Sequence, residues 1–501
     1  MLATALSASI VGVDGVPVRV EVDVAFGLPG LTIVGLAGSA VQEARERVRA
    51  AVRNSGFEVP ARRITVNLAP ADLPKEGTGH DVAIAVALLV ASGQLDAAHI
   101  RRTAFVGELA LDGGLRPVPG VLALVSAARH AGAVEAIVPA ASASEAAAVS
   151  AIAVRPAETL RQAVRHLARL EPLGTAAPAP IPAGPLHDED APDLASVVGQ
   201  VVARRALEIA VSGRHNLALS GPPGVGKTLL ARAAAGLLPP LSEDESTEVS
   251  RIHSVAGVSR DGLAPGGRRP FRSPHHTVST QALVGGGPRI RPGEASLAHR
   301  GALFLDETLQ FRADALDALR GPLDAGTVTI GRVDGVLALP ARFMLLAAYN
   351  PCPCGWWAVE GRACRCEDGA RRRYQARLSG PMRDRLDLLV QLDPALRERS
   401  GRPEPSSAVA SRVRRAWDLQ VARQGRANVE LPADRLDDST GFDRRVRGLL
   451  ERRGRQLGLS LRRVHRAARV ARTIADLDGS GSVHPHHLDE ALFHRPMEAA
   501  A

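Results

Sequence analysis

The apolar and polar positions along the chain predict an alternation of strands and helices. Residues 18–24 alternate apolar and polar side chains, as a half-buried strand does. Residues 40–53 instead show helical spacing, and residues 81–93 form an apolar stretch that ends in glycine and predicts a buried helix. Strands and helices mixed in this way within residues 1–170 predict an α+β domain.

Farther along, four short apolar stretches predict the buried strands of a second, α/β domain. They cover residues 216–220, 301–305, 342–348 and 388–392. The first three lead directly into glycine-rich, acidic and amide-bearing sequence, respectively.

Length and composition predict the domain organisation. A chain of 501 residues is long enough for about three domains. We place an N-terminal domain at 1–170, a Pro/Ala-rich linker at 171–192, a central domain at 193–395 and a C-terminal helical region at 410–501. The composition of the linker predicts an extended spacer that buries little surface.

The glycine-rich sequence after the strand at 216–220 fits the phosphate-loop pattern G-x-x-x-x-G-K-[ST] at every fixed position. A strand, a glycine loop and a helix start together present backbone N–H groups to phosphates. Lys227 is one of only two lysines among 62 basic residues, and its compact ammonium suits the tight loop better than an arginine. The predicted phosphate-binding residues are Gly221, Pro222, Pro223, Gly224, Val225, Gly226, Lys227 and Thr228.

Nucleotide hydrolysis also needs a magnesium-holding carboxylate and a group that orients the attacking water. The strand at 301–305 ends in Asp306 and Glu307. We predict that Asp306, with Thr228, holds Mg²⁺ and that Glu307 polarises the water. Asn350, after another strand, can position the water or sense the γ-phosphate. The sequence therefore predicts an ATPase that uses ATP and Mg²⁺.

The charge of the chain suggests a polyanionic partner. The formal net charge is +9, whereas aromatic residues make up only 3% of the chain, so contacts to DNA would run mainly through arginine and phosphate. A general preference for arginine with no partner implied is the alternative. Arginines are densest in what reads as one helix, at positions 444, 445, 447, 452, 453, 455, 462, 463, 466, 469 and 472.

The cysteines and the apolar runs indicate the cellular setting. No apolar run reaches the length of a membrane span, and the N-terminus lacks the basic start of a secretion signal, so we expect a cytoplasmic protein without membrane contact. The chain has four cysteines, all within fifteen residues. Because the C-x-C spacing differs from the familiar C-x-x-C, three roles remain open for these cysteines. They could bind structural zinc, be unliganded thiols or carry out redox chemistry. They are Cys352, Cys354, Cys364 and Cys366.

These motifs together resemble the AAA+ ATPases, in particular the magnesium-chelatase-like branch. Several strings, spread over nearly the whole chain, look like the YifB/ComM family within it. A departure from the family pattern is Thr308-Leu-Gln310, which replaces an acidic, proline-containing continuation. The strings include Gly27-Leu-Pro-Gly30, Lys75-Glu-Gly77, His275-His276, Pro351-Cys-Pro-Cys-Gly355 and residues 471–477.

The resemblance implies roles for three further residues. It makes Asn350 sensor 1, Arg385 an arginine finger that acts on a neighbouring subunit, and Arg462 sensor 2. A finger acting in trans requires a homo-oligomer, and the ring of this family is usually hexameric. The alternative for Arg385 is a surface ion pair with Asp384 or Asp387.

The N-terminal domain resembles a Lon-type protease without its catalytic dyad. Residues 74–81 look like the serine-bearing loop, but the serine position is Gly79, and residues 121–124 offer no lysine. Lys75 precedes the loop and cannot replace it, so we predict no proteolysis. The domain is expected to act as a ring scaffold or a guide for DNA.

The resemblance therefore implies an α/β multidomain protein. It comprises a Lon-protease-like α+β domain, a central AAA+ P-loop domain with a chelatase-type insertion, and a C-terminal helical lid. The implied function is a motor that moves along DNA. It would have branch-migration or helicase-like activity during recombination or natural transformation. The alternatives are a magnesium-chelatase-type or protein-remodelling ATPase, and a nucleotide-switched scaffold.

Overall fold

A computed structural model divides the chain into two compact units. The first comprises Met1–Pro182 with Thr247–Asp261, and the second comprises Ala183–Ser246 with Gly262–Ala501. The predicted domain boundaries stay predictions, and most of the linker lies outside the described residues. The structure describes the chain except residues 37, 74, 76, 179–190, 259–266, 288–289, 333–334, 358–361, 394–402, 438–439 and 496–501.

The first unit is a mixed sheet with helices. Its strands are β1 (Leu2–Val11), β2 (Asp14–Ala25), β3 (Gly30–Val34), β4 (Arg63–Ala69), β5 (Thr103–Phe105), β6 (Glu108–Leu109), β7 (Leu115–Arg116), β8 (Glu135–Pro139) and β9 (Ala153–Ala157). Its helices are α1 (Ser39–Gln42), α2 (Ala44–Asn54), α3 (Asp81–Ala91), α4 (Val121–His130), α5 (Ala143–Ala146) and α6 (Leu160–Leu167).

Seven of these strands form one sheet in the order β3-β4-β2-β1-β5-β8-β9. The alternation along β2 buries Val18, Val20 and Val22 completely, as its pattern predicts. Helix α3 is buried along its whole length, which explains why it lacks a polar face. The apolar run at 81–93 thus forms a core helix.

The region that resembles a protease loop is packed. A side chain at Gly79 would face Val118 and Leu124, which are apolar. The Lys75 side chain is fully buried, and its Nζ atom donates a hydrogen bond to the carbonyl of Pro70. Lys75 therefore lies in a packed environment.

The later strands are β10 (Leu217–Ser220), β11 (Phe271–Arg272), β12 (Gly285–Gly286), β13 (Arg291–Pro292), β14 (Ala302–Leu305), β15 (Thr327–Arg332), β16 (Gly335–Pro340), β17 (Met344–Tyr349) and β18 (Leu388–Gln391). The later helices are α7 (Val201–Gly213), α8 (Lys227–Ala233), α9 (Glu243–Ala256), α10 (Thr280–Val284), α11 (Glu294–Leu297), α12 (Ala313–Ala318), α13 (Arg320–Ala325), α14 (Asp368–Gln375), α15 (Gly380–Arg383), α16 (Ser406–Gln424), α17 (Arg444–Gln456), α18 (Leu461–Leu477) and α19 (Pro485–Phe493).

The second unit is built on a parallel sheet in the order β11-β14-β17-β10-β18. All five strands run in one direction, so their carboxyl ends meet at one edge. Strand β10 lies between β17 and β18. The residues that follow β10, β14 and β17 are therefore brought together at this edge, where open parallel sheets bind ligands.

The C-terminal region is helical, but its arginine-rich stretch is not a single helix. Helices α17 and α18 are separated at residues 457–460. Gly458 has a φ of 63°, in the left-handed region, and the side chain of Ser460 caps α18 by accepting a hydrogen bond from the Arg463 N–H group. The prediction of one continuous helix was wrong, because this turn breaks it.

Among the helices that the structure describes, none is both long and apolar enough to span a bilayer.

Candidate nucleotide site, cysteine cluster and arginine surfaces

The phosphate loop connects β10 to α8. Gly224 and Gly226 have φ angles of 74° and 98°, which side chains disfavour, so glycine is needed at both positions. Helix α8 begins at Lys227 itself. The loop thus has the strand–turn–helix setting in which backbone N–H groups surround a phosphate.

Lys227 is held inside this loop. Its Nζ atom donates hydrogen bonds to the carbonyls of Gly221 and Pro222, at 2.8 Å each, and to Oδ1 of Asn350 at 3.0 Å. Burial lowers the pKa of Lys227 to about 8. The contact with Asn350 places the end of β17 beside the phosphate loop, so the predicted sensor faces the predicted phosphate ligand.

Thr228 and Asp306 are in direct contact. The Thr228 hydroxyl donates to Oδ2 of Asp306 at 2.9 Å, while Oδ1 of Asp306 accepts from the Glu307 N–H group at 2.9 Å. A hydroxyl and a carboxylate are hard oxygen ligands of the kind Mg²⁺ prefers. The two residues predicted to hold Mg²⁺ therefore lie together.

Glu307 follows Asp306 in an unusual backbone conformation. Its φ is 49°, which is uncommon for a residue with a side chain. The hydroxyl of Thr308 donates to the carbonyls of Leu305 and Ala348, at 2.7 and 3.2 Å, and so anchors the turn. The Glu307 side chain is half-exposed, which leaves its carboxylate accessible to a water molecule.

A residue without a predicted role, His276, lies beside Glu307. Its Nδ1 atom is 3.7 Å from Oε2 of Glu307, and its ring packs edge-on against Phe311. His276 follows β11, and β11 pairs with β14, which leads to Glu307. The sequence indicated His275-His276 only as a family string, because no local pattern reveals which strands are neighbours.

Arg385 has partners inside its own chain. Its guanidinium forms an ion pair with Asp324 and donates to the carbonyl of Pro381 at 2.5 Å. Asp384 instead pairs with Arg463, and Asp387 pairs with Arg466. Both arginines belong to α18. Both ion-pair partners that we considered for Arg385 from the sequence were therefore wrong, because they are engaged by α18.

Arg385 and Arg462 line the same cavity, of about 590 Å³. Asp324, Asp384 and Glu430 also line it, but no phosphate-loop residue does. The cavity is therefore strongly basic and separate from the chain's own phosphate loop. Its arginines are Arg214, Arg342, Arg385, Arg426, Arg462, Arg466 and Arg469.

The four cysteines converge on one point. All four sulfur atoms lie within 4.8 Å of one another, and three of their separations are 3.4, 3.6 and 3.7 Å. A tetrahedron with metal–sulfur bonds of about 2.3 Å has edges of about 3.8 Å. The cluster therefore fits a tetrahedral thiolate metal site.

Backbone N–H groups point at these sulfurs. Trp357 donates to Cys352 at 3.3 Å, and Cys354 donates to Cys366 at 3.4 Å. Backbone hydrogen bonds, that from Trp356 above all, lower the pKa of Cys354 to about 6, whereas burial and the adjacent thiol raise the pKa of Cys352. N–H donors of this kind orient and stabilise metal-bound thiolates.

Most arginines of α18 have partners within the protein. Arg466 pairs with Asp387 at 2.8 Å, and Arg472 pairs with Asp476 at 2.9 Å in the core. Arg469 donates to the carbonyl of Leu431. The exposed arginines of α17 lie within an arc of about 100° on the helix. They are Arg444, Arg445, Arg452 and Arg455.

Comparison with protein families gives matches to three models. Residues 193–400 match the model described as "Magnesium chelatase, subunit ChlI", and residues 20–142 match "Subunit ChlI of Mg-chelatase". Residues 403–495 match "Magnesium chelatase, subunit ChlI C-terminal". The matches therefore cover most of the chain.

Individual relatives match over the full length. The chain is 42% identical to a protein named YifB from Salmonella typhimurium, over 99% of this chain and 97% of the relative. It is also 42% identical to the competence protein ComM of Haemophilus influenzae, over 99% and 98%. A magnesium-chelatase 67 kDa subunit of Heliobacterium mobile is 27% identical over 32% of this chain and 28% of its own length. The chain belongs to the YifB/ComM family of magnesium-chelatase-like proteins.

Proposed function

We propose that this chain is an ATP-hydrolysing motor that acts on DNA as a ring of identical subunits. The observation that carries the proposal is the hydrogen bond between Thr228 and Asp306, beside Lys227 and Glu307. This contact supports the proposal because it joins the two residues proposed to hold Mg²⁺, next to the residues proposed to bind phosphate and to polarise water. Family membership supports ATPase activity, and the name of the relative ComM, a competence protein, agrees with work on DNA.

The ring is supported by the basic cavity that holds Arg385 and Arg462. This cavity lies apart from the chain's own phosphate loop, yet it concentrates guanidinium groups suited to a phosphate. In a ring, Arg385 acts as a finger and Arg462 as sensor 2 on the nucleotide of a neighbouring subunit. We expect a hexamer. For this role, Arg385 must exchange its ion pair with Asp324 for the γ-phosphate.

The DNA contact runs through the exposed arginines of α17. Arg444, Arg445, Arg452 and Arg455 are exposed, and they bind phosphates without reading sequence. Three arginines of α18 serve the fold instead, since Arg463, Arg466 and Arg472 form ion pairs with Asp384, Asp387 and Asp476, respectively.

In this proposal the cysteine cluster holds a structural Zn²⁺ ion. The absence of disulfides among these four cysteines supports a location in the reducing cytoplasm. The measurement is the metal content of the purified protein. One zinc per chain is expected, and its loss on replacing Cys354 with serine would show that the cluster binds it. A fully metal-free protein after purification without chelators would contradict the site.

ATP hydrolysis with and without DNA tests the motor. The purified chain is assayed with single-stranded, duplex and branched DNA, beside Glu307→Gln. We expect stimulation by branched or single-stranded DNA, and a loss of about 100-fold or more in the variant with nucleotide still bound. Hydrolysis indifferent to every DNA would overturn the motor and favour a chelatase-type or protein-remodelling role. Slow hydrolysis unaffected by Glu307→Gln would indicate a nucleotide-switched scaffold.

A matched pair of charge variants tests the DNA surface. Arg444→Gln with Arg445→Gln removes two charges from α17, and Arg101→Gln with Arg102→Gln removes two exposed charges from the first unit. The α17 pair should weaken DNA binding and lower the slope of log K against log salt by about two. Equal effects of both pairs would mean that only net charge matters.

Mixing of inactive subunits tests the trans arrangement. Arg462→Ala keeps its own Glu307, and Glu307→Gln keeps its own Arg462. If Arg462 acts on a neighbour, mixed rings contain some complete sites, so mixing restores part of the activity. Arg462 is exposed, so its replacement does not disturb the core. No recovery on mixing, with mixed rings verified, would contradict action in trans.

A further inference from the structure

The cysteine cluster is connected to the nucleotide site on both sides. The chain enters the cluster directly from Asn350, which accepts the hydrogen bond from Lys227 at 3.0 Å. It leaves through α14, where the Gln375 side chain donates back to the carbonyl of Pro351 at 3.1 Å. The described parts of this segment, residues 350–357 and 362–375, thus form a loop whose two ends meet at the end of β17.

The loop touches the phosphate loop at Gly355. Its N–H group donates to the carbonyl of Cys352 at 3.0 Å, which makes residues 352–355 a tight turn. The φ of Gly355 is 85°, and a Cβ atom there would lie 2.5 Å from Cδ and 2.9 Å from Cγ of Pro223. The backbone of this turn therefore packs directly on the phosphate loop, with no space for a side chain.

The loop also supports the turn that carries Glu307. Just after α14, the Arg377 guanidinium donates to the carbonyl of Leu309 at 2.9 Å. Leu309 lies in the short helical turn Thr308–Gln310, which begins directly after Glu307. The loop therefore contacts Pro223 on one side and Leu309 on the other. These contacts support two separate parts of the nucleotide site.

We propose that the metal-bound cysteine cluster holds the Cys352–Gly355 turn against Pro223. Nucleotide affinity then depends on a metal ion that is bound outside the nucleotide site. This inference rests on the proposed zinc site. Cys352 is both a member of the cluster and the acceptor that closes the turn. Without metal, four crowded sulfurs no longer hold the turn in one conformation, and Pro223 loses its support.

The first experiment compares metal-loaded and metal-free protein. Zinc is removed with a chelator, the chelator is dialysed out, Mg²⁺ is restored, and the affinity for ADP is measured by calorimetry. We expect ADP affinity to fall by about tenfold or more and to recover with one equivalent of Zn²⁺ or Co²⁺. The Co²⁺ form should show the sulfur-to-metal charge-transfer absorption of a tetrathiolate site.

The outcomes separate the two proposals. Equal ADP affinity with and without metal, with the cobalt absorption present, would overturn the coupling and leave the zinc site intact. No zinc on purification and no cobalt absorption would overturn the zinc site and the coupling together. Neither result bears on DNA stimulation of the ATPase, which tests the motor independently.

A glycine variant tests the contact without touching the sulfurs. Gly355→Ala should keep one metal per chain but weaken ADP binding, because its methyl group displaces Pro223. Gly425→Ala is the matched control, since Gly425 also has a positive φ, of 68°, but no atom within 4 Å of its Cβ position. Gly425→Ala should leave ADP affinity unchanged.

A second substitution keeps the test decisive if Gly355→Ala is generally harmful. Pro223→Ala removes the Cδ and Cγ atoms that the new methyl group would meet. The affinity loss from Gly355→Ala should therefore be smaller in the Pro223→Ala background than in the wild-type background. Equal losses in both backgrounds, or metal-loaded Gly355→Ala that binds ADP like the wild type, would overturn the contact.

Discussion

The Nδ1 atom of His276 lies 3.7 Å from the Oε2 atom of Glu307. The Glu307 side chain is 53% exposed, whereas the His276 side chain is 29% exposed and packs edge-on against the buried Phe311. A partly buried ring beside a freer carboxylate restricts the orientations of that carboxylate. His276 is therefore placed to orient Glu307, the residue that we propose polarises the attacking water.

We expect His276→Ala to lower kcat for ATP hydrolysis by about tenfold with little change in ADP affinity, because orientation rather than binding is lost. The neighbouring variant His275→Ala is the control. The His275 ring lies 4.1 Å from the His276 ring, with the two planes tilted by 36°, and its Nδ1 atom forms a hydrogen bond with the Thr277 hydroxyl, so His275 does not contact Glu307 through this atom. Steady-state kinetics of the two variants test this prediction. Equal kcat values for His276→Ala and His275→Ala would contradict the positioning role of His276.

The depressed pKa of Lys227 predicts a pH dependence of nucleotide binding. Burial lowers this pKa to about 8 in the nucleotide-free protein, and phosphates favour the ammonium form. Above pH 8, binding must therefore take up a proton, and affinity should fall by up to about tenfold per pH unit. Calorimetry from pH 7 to 9.5 in buffers of different ionisation enthalpy measures this uptake.

The control for this pH dependence is Lys227→Arg. A guanidinium stays charged throughout this range, so any residual binding should be independent of pH. Parallel pH profiles of the two proteins would show that another group titrates.

Asp387 connects the sheet to α18. Its Oδ2 atom accepts from the Asn216 N–H group, and Oδ1 accepts from Arg466, each at 2.8 Å. Burial alone would raise the pKa of Asp387, but Arg466 and His215 hold it below its usual value. Asp387→Asn should lower the free energy of unfolding of the second unit by about 3–5 kcal/mol, because Arg466 loses its buried partner.

Urea unfolding followed by tryptophan fluorescence measures this loss, since all three tryptophans lie in the second unit. Because the pKa of Asp387 is lower in the folded protein, its ionised form stabilises the fold at pH values above the pKa of the unfolded state. The difference in free energy of unfolding between wild type and Asp387→Asn should therefore shrink as the pH falls below about 4. The control is Asp418→Asn, which breaks an exposed pair with Arg414 and should cost less than about 0.5 kcal/mol. Equal losses of unfolding free energy in Asp387→Asn and Asp418→Asn would contradict the assignment of Asp387 as the buried partner of Arg466.

Lys75 is the lysine that the phosphate chemistry does not explain. It is fully buried and bonded to the carbonyl of Pro70, and burial lowers its pKa. The larger guanidinium of Lys75→Arg should overpack this site and destabilise the first unit by about 1–3 kcal/mol. Hydrogen exchange of the α3 amides reports on this unit, which lacks tryptophan. Arg101→Lys, at an exposed position, is the control, and an unaltered Lys75→Arg protein would refute the packed role.

Short-range patterns were sufficient for the elements at the site. The strands at 216–220, 301–305 and 342–348 are observed as β10, β14 and β17, since buried parallel strands are continuous apolar runs. The adjacency of Lys227, Asp306 and Asn350 could be anticipated as well, because parallel strands end at one edge. The catalytic roles of these residues stay predictions.

Long-range pairings could not be read in this way. The arginine spacing from 444 to 472 suggested one polyanion-binding helix, but the chain turns at Gly458, and α18 uses its arginines for aspartates distant in sequence. The partner of Arg385, Asp324, lies 61 residues away. Charge patterns show which residues need a partner, whereas packing decides which partner each obtains.

Residue type and local spacing were enough to identify the phosphate loop, the acidic strand end and the four cysteines. Local patterns could not show that His276 faces Glu307, that Gly355 touches Pro223 or that the sulfurs form a tetrahedron-sized cluster. The four cysteines all follow β17, whereas each of the first two contacts joins segments that follow different strands. Their proximity follows from the order of strands in the sheet, which is set by the packing of the whole unit and not by any local pattern.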